Sequence, residues 1–274
     1  MNLVLGESCP KTVREQVCGF VGGVVSCLFG DNLSSVWLHG SLSLGCFNES
    51  KSDVDLLFVT KSPLSREGVL KISKLTLRFS GNPRPIELSF VNLRDISPWK
   101  HPARFDFHYS SSYRERLTKL VNEKPDSIVE ELWGKDPVDS DLAVHFRVCK
   151  TRGMRLFGLD DDTLPDVPDF DVDDSILQDF IWLGEQSEEF PIYSVLNTCR
   201  IIAFVERRLI LSKLESANWA SENIDRRYHH LIELASLDYK SADNLDLPTD
   251  ELSDFINYSR RRLRNHLVEH GLWR

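Results

Sequence analysis

No apolar run in this 274-residue chain approaches the roughly 18 residues that a membrane-spanning helix needs. The start, "MNLVLGESCPKTVREQ", has no basic stretch followed by an apolar core, so no secretory signal is expected and a cytoplasmic location is the default. Paired cysteines are missing. Cys9, Cys18, Cys27, Cys46, Cys149 and Cys199 form no CxxC, and their spacings match neither a zinc ribbon nor a disulfide framework. Reduced, mostly buried thiols are expected. A basic excess is missing too. The formal net charge is −9, which argues against gripping nucleic-acid phosphates over a wide surface and suits a small cationic substrate. There is no internal repeat. The one biased stretch, "LDDDTLPDVPDFDVDD" (Leu159 to Asp174), is expected to be a solvated linker.

What is present suits a folded α+β protein. Hydrophobic residues make up 41% of the chain and charged residues 27%, enough for an ordinary core. Residues 11–29 place Val13, Val17, Phe20, Val21, Val24, Val25 and Leu28 at helical spacing. "SVWLHG" predicts a strand ending in a glycine turn, "DVDLLFVT" a second strand, "SREGVLKISKLTLRF" a helix and "PIELSFVN" a third strand. Helix, strand, strand, helix, strand predicts a small mixed sheet. Beyond the acidic stretch the texture changes. "DSILQDFIWLGEQSE", "PIYSVLNTCRIIAFVERRLILS", "ESANWASENI", "DRRYHHLIELASLDYK" and "TDELSDFINYSRRRLRNHLVEHG" all predict helices, with Asp174 and Thr249 as N-caps and Gly271 as a C-cap. The expected division is an α+β domain over 1–165 and an all-α helical bundle over 166–274.

The chemistry concentrates in "VWLHGSLSLGCFNESKSDVDLLFVTKS", Val36 to Ser62. Asp53 and Asp55 are one residue apart, so on a strand they point the same way. Two carboxylates on one face need neutralising, and magnesium takes one or two carboxylates together with substrate phosphates. Glu87, on the next predicted strand, is in phase to join them. Gly40 and Ser41 form the turn after the first strand, where backbone N–H groups and the Ser41 hydroxyl can approach a phosphate. Metal-held triphosphate beside a carboxylate base performs nucleotidyl transfer.

The same stretch resembles the signature of the polymerase-β-like nucleotidyltransferase superfamily, Gly-Ser followed by Asp-x-Asp. "WKHPARFDFHYSSSYRERL", "DSDLAVHFRVCKTRGMRLFG", "YSVLNTCRIIAFVERRLILSKLESANWA" and "RRYHHLIELASLDY" resemble, in order and spacing, the streptomycin/spectinomycin adenylyltransferases. The resemblance covers nearly the whole chain. It implies transfer of AMP from ATP to a hydroxyl of an aminocyclitol antibiotic, with two magnesium ions, and hence resistance. It implies an N-terminal polymerase-β-like nucleotidyltransferase domain followed by a helical domain. Asp53 and Asp55 match the family's magnesium-binding aspartates, and Glu87 matches its base and shares the metal group. Gly40, Ser41 and Ser52 match positions near the ATP phosphates. Arg200 and Lys213 match basic residues of the helical domain that reach those phosphates when the domains close, and Tyr228 matches a tyrosine near the nucleotide.

The resemblance also departs in places. Dual-specificity members carry a tryptophan where this chain has Ser112 or Tyr113, and a tryptophan–aspartate group before the "VLN" helix. Here the second region supplies Trp182, Glu185, Glu188 and Glu189. These four, with His108 and Tyr113, are the expected substrate-side residues, and the departure favours spectinomycin over streptomycin. The expected partners are an aminocyclitol and ATP, with no nucleic acid, no membrane and no second subunit. A nucleotidyltransferase that modifies a protein or RNA, as in a toxin–antitoxin pair, is the alternative. His266 and His270 have the spacing of zinc ligands but lack the glutamate that directly follows the first histidine of the zinc-protease motif, and "RRRLR" (Arg260 to Arg264) is expected to be solvated or ion-paired.

Overall fold

The computed structural model describes residues 9–28, 32–158, 164–241 and 246–273. The chain divides into two compact units, Met1–Val167 and Pro168–Arg274. Along the first run α1 (Lys11–Cys27), β1 (Leu33–His39), α2 (Gly40–Ser43), β2 (Val54–Thr60), α3 (Arg66–Phe79), β3 (Ile86–Asn92), α4 (Leu93–Ile96), β4 (Ala103–Arg104), β5 (Phe107–Tyr109), α5 (Arg114–Glu123), α6 (Ile128–Trp133), β6 (Val138–Asp139), α7 (Leu142–Arg152) and β7 (Met154–Phe157). The second contains α8 (Asp169–Glu185), α9 (Pro191–Arg207), α10 (Lys213–Asn223), α11 (His229–Lys240), α12 (Thr249–Arg262) and α13 (Arg264–Glu269). No helix of the described residues is long and apolar enough to cross a membrane.

The first unit is a five-stranded mixed sheet in the order β5-β3-β2-β1-β7. Only β2 and β3 are parallel, and α3 makes the crossover that a parallel pair requires. The Ser65 side chain caps α3 by accepting from the Gly68 N–H at 3.1 Å. Strand alternation sets the two faces. Val36, Leu38, Val54, Leu56, Phe58, Ile86, Leu88 and Phe90 share one core with Val13, Val17 and Phe20 of α1 and Val69 and Ile72 of α3. The centre of that core is aromatic: Phe58 stacks on Phe90 with centroids 4.3 Å apart and meets the edge of Phe20 at 5.9 Å. The opposite face carries His39, Asp55 and Glu87, and α7 packs against β1.

In the second unit α9 is buried nearly all round and packs against α8, α10, α11 and α12, as an apolar central helix must. Arg208 ends it in the left-handed region (φ 57°), with its guanidinium on the Asp173 carboxylate. A capping box of Ser212 and Glu215 opens α10.

The structure revises several expectations. The strands β5 and β7 were invisible to periodicity because they span only three and four residues. The acidic stretch is not all linker. Residues 159–163 lie outside the described residues, but α8 begins at Asp169, behind Pro168, so Asp174 is interior to the helix and not its cap. Proline explains the earlier start, since its fixed φ suits the helix entry. Thr249 is likewise the first helical residue behind Pro248. The helix expected over 191–212 stops at Arg207, and that over 249–271 breaks at Leu263. Gly271 does follow α13 with φ +70°. Arg262 pairs with Glu206 at 2.6 Å, as expected of an ion-paired basic run. His270 stacks on Phe170 at 4.1 Å.

Phe58→Ala opens a hole under both neighbouring rings and is expected to cost about 3–5 kcal/mol. Urea unfolding of the two proteins measures this; a loss below about 1 kcal/mol would mean that the ring stack is not the centre of the core.

Candidate active site

β2 and β3 pair with Asp55 beside Glu87, and β1 and β2 pair with His39 beside Asp55. Residues in register point to the same face, so His39, Asp55 and Glu87 form one row across three strands. One step along, Ser89 lies beside His108 of β5, and the Ser89 hydroxyl and His108 Nδ1 are 2.9 Å apart. Asp53 stands just ahead of β2.

The turn leaving β1 is shaped by Asp55. Gly40 has φ +63°, and a Cβ at that position would sit 1.8 Å from Asp55 Oδ2. A side chain is excluded twice, by backbone conformation and by space. The expected turn is in fact a single helical turn, α2, in which the Leu44 N–H donates to the Gly40 carbonyl at 3.0 Å. The Ser41 hydroxyl is buried and has no partner among the described residues. Buried hydroxyls are nearly always satisfied, so an orphan at a turn beside carboxylates marks a place where a ligand oxygen would complete it. Ser52 plays another part. It is 5% exposed, its hydroxyl accepts from the Asn48 N–H at 3.0 Å, and its carbonyl accepts from Arg84 Nε at 2.8 Å. It shapes the loop that delivers Asp53.

Glu87 is an uncomfortable carboxylate. Burial pushes its pKa above the ordinary value; the negative charges of Asp53, Asp141 and Asp139 push the same way, and only His145 opposes them. His39 is 7% exposed, and burial, reinforced by His145, holds its pKa well below the ordinary value. The two imidazoles lie face to face at a tilt, with centroids 4.8 Å apart. Burial also lowers the pKa of His108, against the pull of Asp139. Asp139, Asp141 and His145 were not singled out from the sequence. The spacing Asp-x-Asp in "VDSD" repeats that of Asp53 and Asp55 and was the available signal.

The three carboxylates do not form a ready cage. Among the described residues no group of three or more His, Cys, Asp or Glu side chains is disposed to hold a metal ion. The sequence expected Asp53, Asp55 and Glu87 as one cluster; the like charges of crowded carboxylates oppose their convergence. The donor set still fits magnesium, because Asp53 and Asp55 offer hard oxygens and magnesium needs only one or two carboxylates from protein.

Other expected residues take varied places. Tyr113 packs between His108 (6.0 Å) and Trp133 (5.6 Å). In the helical unit, Arg200 Nε donates to the Leu211 carbonyl at 3.0 Å and Nη1 to Asn197 Oδ1 at 2.9 Å. Lys213 Nζ lies over the rings of Tyr193 (4.6 Å) and Tyr239 (5.1 Å). Tyr228, expected near the nucleotide, is 3% exposed and its hydroxyl donates to Asp254 at 2.7 Å. Trp182 is exposed and stacks on Phe190 at 5.9 Å, and Glu185, Glu188 and Glu189 are exposed around it.

Comparison with known proteins finds relatives along most of the chain. The profile of the C-terminal domain of aminoglycoside adenylyltransferases matches residues 162–262. A spectinomycin 9-adenylyltransferase of Enterococcus faecalis is 26% identical over 243 residues, covering 85% of this chain and 90% of the relative. An aminoglycoside (3'')(9) adenylyltransferase of Escherichia coli is 24% identical over 87% of this chain and 90% of its own length. The crystal structure of an enterococcal spectinomycin adenyltransferase with ATP and spectinomycin superposes with a TM-score of 0.75 at 24% identity, covering 91% of this chain and 98% of that one, which establishes a shared fold.

Two substitutions check this geometry without any ligand. Ser41→Ala deletes an unsatisfied buried hydroxyl and is expected to leave the unfolding midpoint unchanged or raised. Gly40→Ala is expected to cost at least about 1–2 kcal/mol from the left-handed backbone alone. Calorimetry of both reads the difference; equal midpoints for the two variants would contradict the placement of Asp55 against Gly40.

Proposed function

We propose that this chain is an aminoglycoside adenylyltransferase that transfers AMP from ATP to a hydroxyl of spectinomycin and so gives resistance to that antibiotic. The observation that carries this reading is the Asp55–Glu87 pair, held side by side on adjacent strands beneath a turn that only glycine can make. A protein that merely bound a nucleotide would need no half-buried carboxylate on the third strand beside Asp55.

Glu87 is assigned as the base. Ionised, it takes the proton of the acceptor hydroxyl; the new bond from that oxygen to the α-phosphorus forms as the bond to the departing pyrophosphate breaks. Asp53 and Asp55 would hold magnesium, which would neutralise the triphosphate and the charge that builds on the leaving group. The Ser41 hydroxyl donates to a phosphate oxygen, and Ser52 and Gly40 shape the surrounding turn. In the helical unit Arg200 and Lys213 are assigned to the nucleotide phosphates on the resemblance of the segments that carry them. The Tyr228 hydroxyl is committed to Asp254, so its role is packing. On the acceptor side we assign His108 and Tyr113, with Trp182, Glu185, Glu188 and Glu189 of the helical unit. Ser112 bonds to Ser110 and Tyr113 is packed between rings, so the tryptophan of the dual-specificity relatives has no counterpart here; this favours spectinomycin over streptomycin. The reaction belongs in the cytoplasm, where ATP is available, and one chain carries the full set of assigned residues.

Expression in drug-sensitive cells is expected to raise the tolerated concentration of spectinomycin well above that of streptomycin. Resistance to neither drug, together with no AMP transfer by the purified protein, would sink the reading. Glu87→Gln is expected to keep ATP binding and lose transfer by at least about 100-fold. The sign of its stability change follows from the raised pKa. An acid whose folded pKa exceeds its unfolded one stabilises fully only below the unfolded value and loses that contribution as pH rises through the folded pKa. Glu87→Gln should therefore be at least as stable as wild type at neutral pH. That advantage should vanish below pH of about 4.3, which paired thermal melts across pH would read.

A further inference from the structure

We propose that Ser89 is a positioning residue of the acceptor site: its hydroxyl donates to His108 Nδ1 and fixes the tautomer in which His108 Nε2 offers an N–H to an oxygen of the acceptor. The inference rests on the assignment of His108 to the acceptor side. Three observations lead to it. Ser89 follows Glu87 by two residues on β3, so the two side chains share the face of the sheet that carries Asp55. β5 pairs antiparallel with β3 and sets His108 directly beside Ser89, one diagonal step from Glu87. The Ser89 hydroxyl and His108 Nδ1 then meet at 2.9 Å, the length of a full hydrogen bond.

The direction of that bond decides what the ring can do. Ser89 is buried, and among the described residues its hydroxyl proton has His108 Nδ1 as its one acceptor. Burial lowers the pKa of His108, which leaves the imidazole neutral and Nδ1 able to accept. A neutral imidazole that accepts at one nitrogen carries its proton on the other, so Nε2 is the donor. The ring has little freedom to turn. Phe105 lies 5.9 Å from it at a tilt, and Tyr113 meets it edge-on at 6.0 Å. His108 is half-buried, so Nε2 is the polar atom left for a ligand. A fixed N–H near the base suits a hydroxyl, ether or carbonyl oxygen of the acceptor. It would help to hold the reacting hydroxyl by Glu87 at small entropic cost.

The test uses two variants of the full chain. Ser89→Ala removes the hydroxyl; Ser89→Thr keeps it on a residue suited to a strand. With MgATP and spectinomycin, Ser89→Ala is expected to lower kcat/KM for spectinomycin about 5-fold, the worth of an ordinary hydrogen bond, with KM for ATP unchanged. Ser89→Thr should recover most of that loss. In a His108→Ala background, Ser89→Ala is expected to add nothing, since Ser89 acts through the ring. Wild-type kcat/KM in Ser89→Ala, an equal loss in both variants, a matching rise in KM for ATP, or a further loss of similar size in the His108→Ala background would overturn the proposal. A second readout needs no turnover. With isotope-labelled histidine, long-range proton–nitrogen magnetic resonance spectra show which ring nitrogen carries the proton, and the signals missing from His108→Gln identify the ring. The wild type should hold its His108 proton on Nε2, and Ser89→Ala should show a mixture of tautomers. A proton on Nδ1 in the wild type, or the same spectrum in both proteins, would overturn the proposal. If the wild type transfers no AMP to spectinomycin, the activity reading fails, and these spectra still decide whether Ser89 fixes His108.

Discussion

The parallel pairing of β2 with β3 is the constraint on which the rest of the first unit depends. It sets Asp55 beside Glu87, and the partner residues one step further along, Leu56 and Leu88, turn into the core. A slip of one residue would carry Asp55 into that core and bring Leu56 to the site, because side chains alternate with period two. The register is held from the apolar side. Phe58 and Phe90 are register partners as well as stacked rings, so the pair that fills the core is also the pair that fixes the row of acids. Packing on one face thus determines chemistry on the other.

That arrangement is electrostatically costly, and the cost is informative. Burial raises the pKa of Glu87, and three further carboxylates act in the same direction. Folding alone gives no reason to collect such groups, since each ionised acid makes the next less favourable. The Ser41 hydroxyl adds a polar group buried without a partner, and Gly40 adds a residue in a conformation that other side chains resist. All three features lie at one end of the central strands β1, β2 and β3, and a cationic or metal-bearing ligand would relieve the first two. Local cost gathered at one end of a sheet is the mark of a site kept for what it binds.

Much of this was legible in the sequence, and the limits have physical causes. Strands of seven mostly apolar residues, β1, β2 and β3, show openly in the sequence, and the shared face of Asp55 and Glu87 follows from the period of two. Short strands carry too few residues for a period to emerge, so β5 and β7 were missed. Helix starts went astray where proline, not the expected caps Asp174 and Thr249, stands before the first helical residue, as at Asp169 and Thr249. Asp139, Asp141 and His145 lie some fifty residues beyond Glu87 in the chain. Only the packing of α7 against β1 draws that segment to the row, and nothing in local periodicity reports a contact of that range.

The row explains the reaction better than it explains the acceptor. Asp53, Asp55 and Glu87 would serve any hydroxyl presented to a metal-held nucleotide. Discrimination must come from groups that meet the acceptor, and those nearest Glu87 are acids and histidines kept neutral by burial. Asp139 and Asp141 add negative charge in the field of Glu87. An acceptor bearing ammonium groups beside its hydroxyl would neutralise them as it binds, and each charge it brought would also make Glu87 a readier carboxylate by lowering its pKa. Binding of a cationic acceptor and ionisation of Glu87 would in this sense be one coupled equilibrium, and a neutral polyol of the same shape would gain neither half of it.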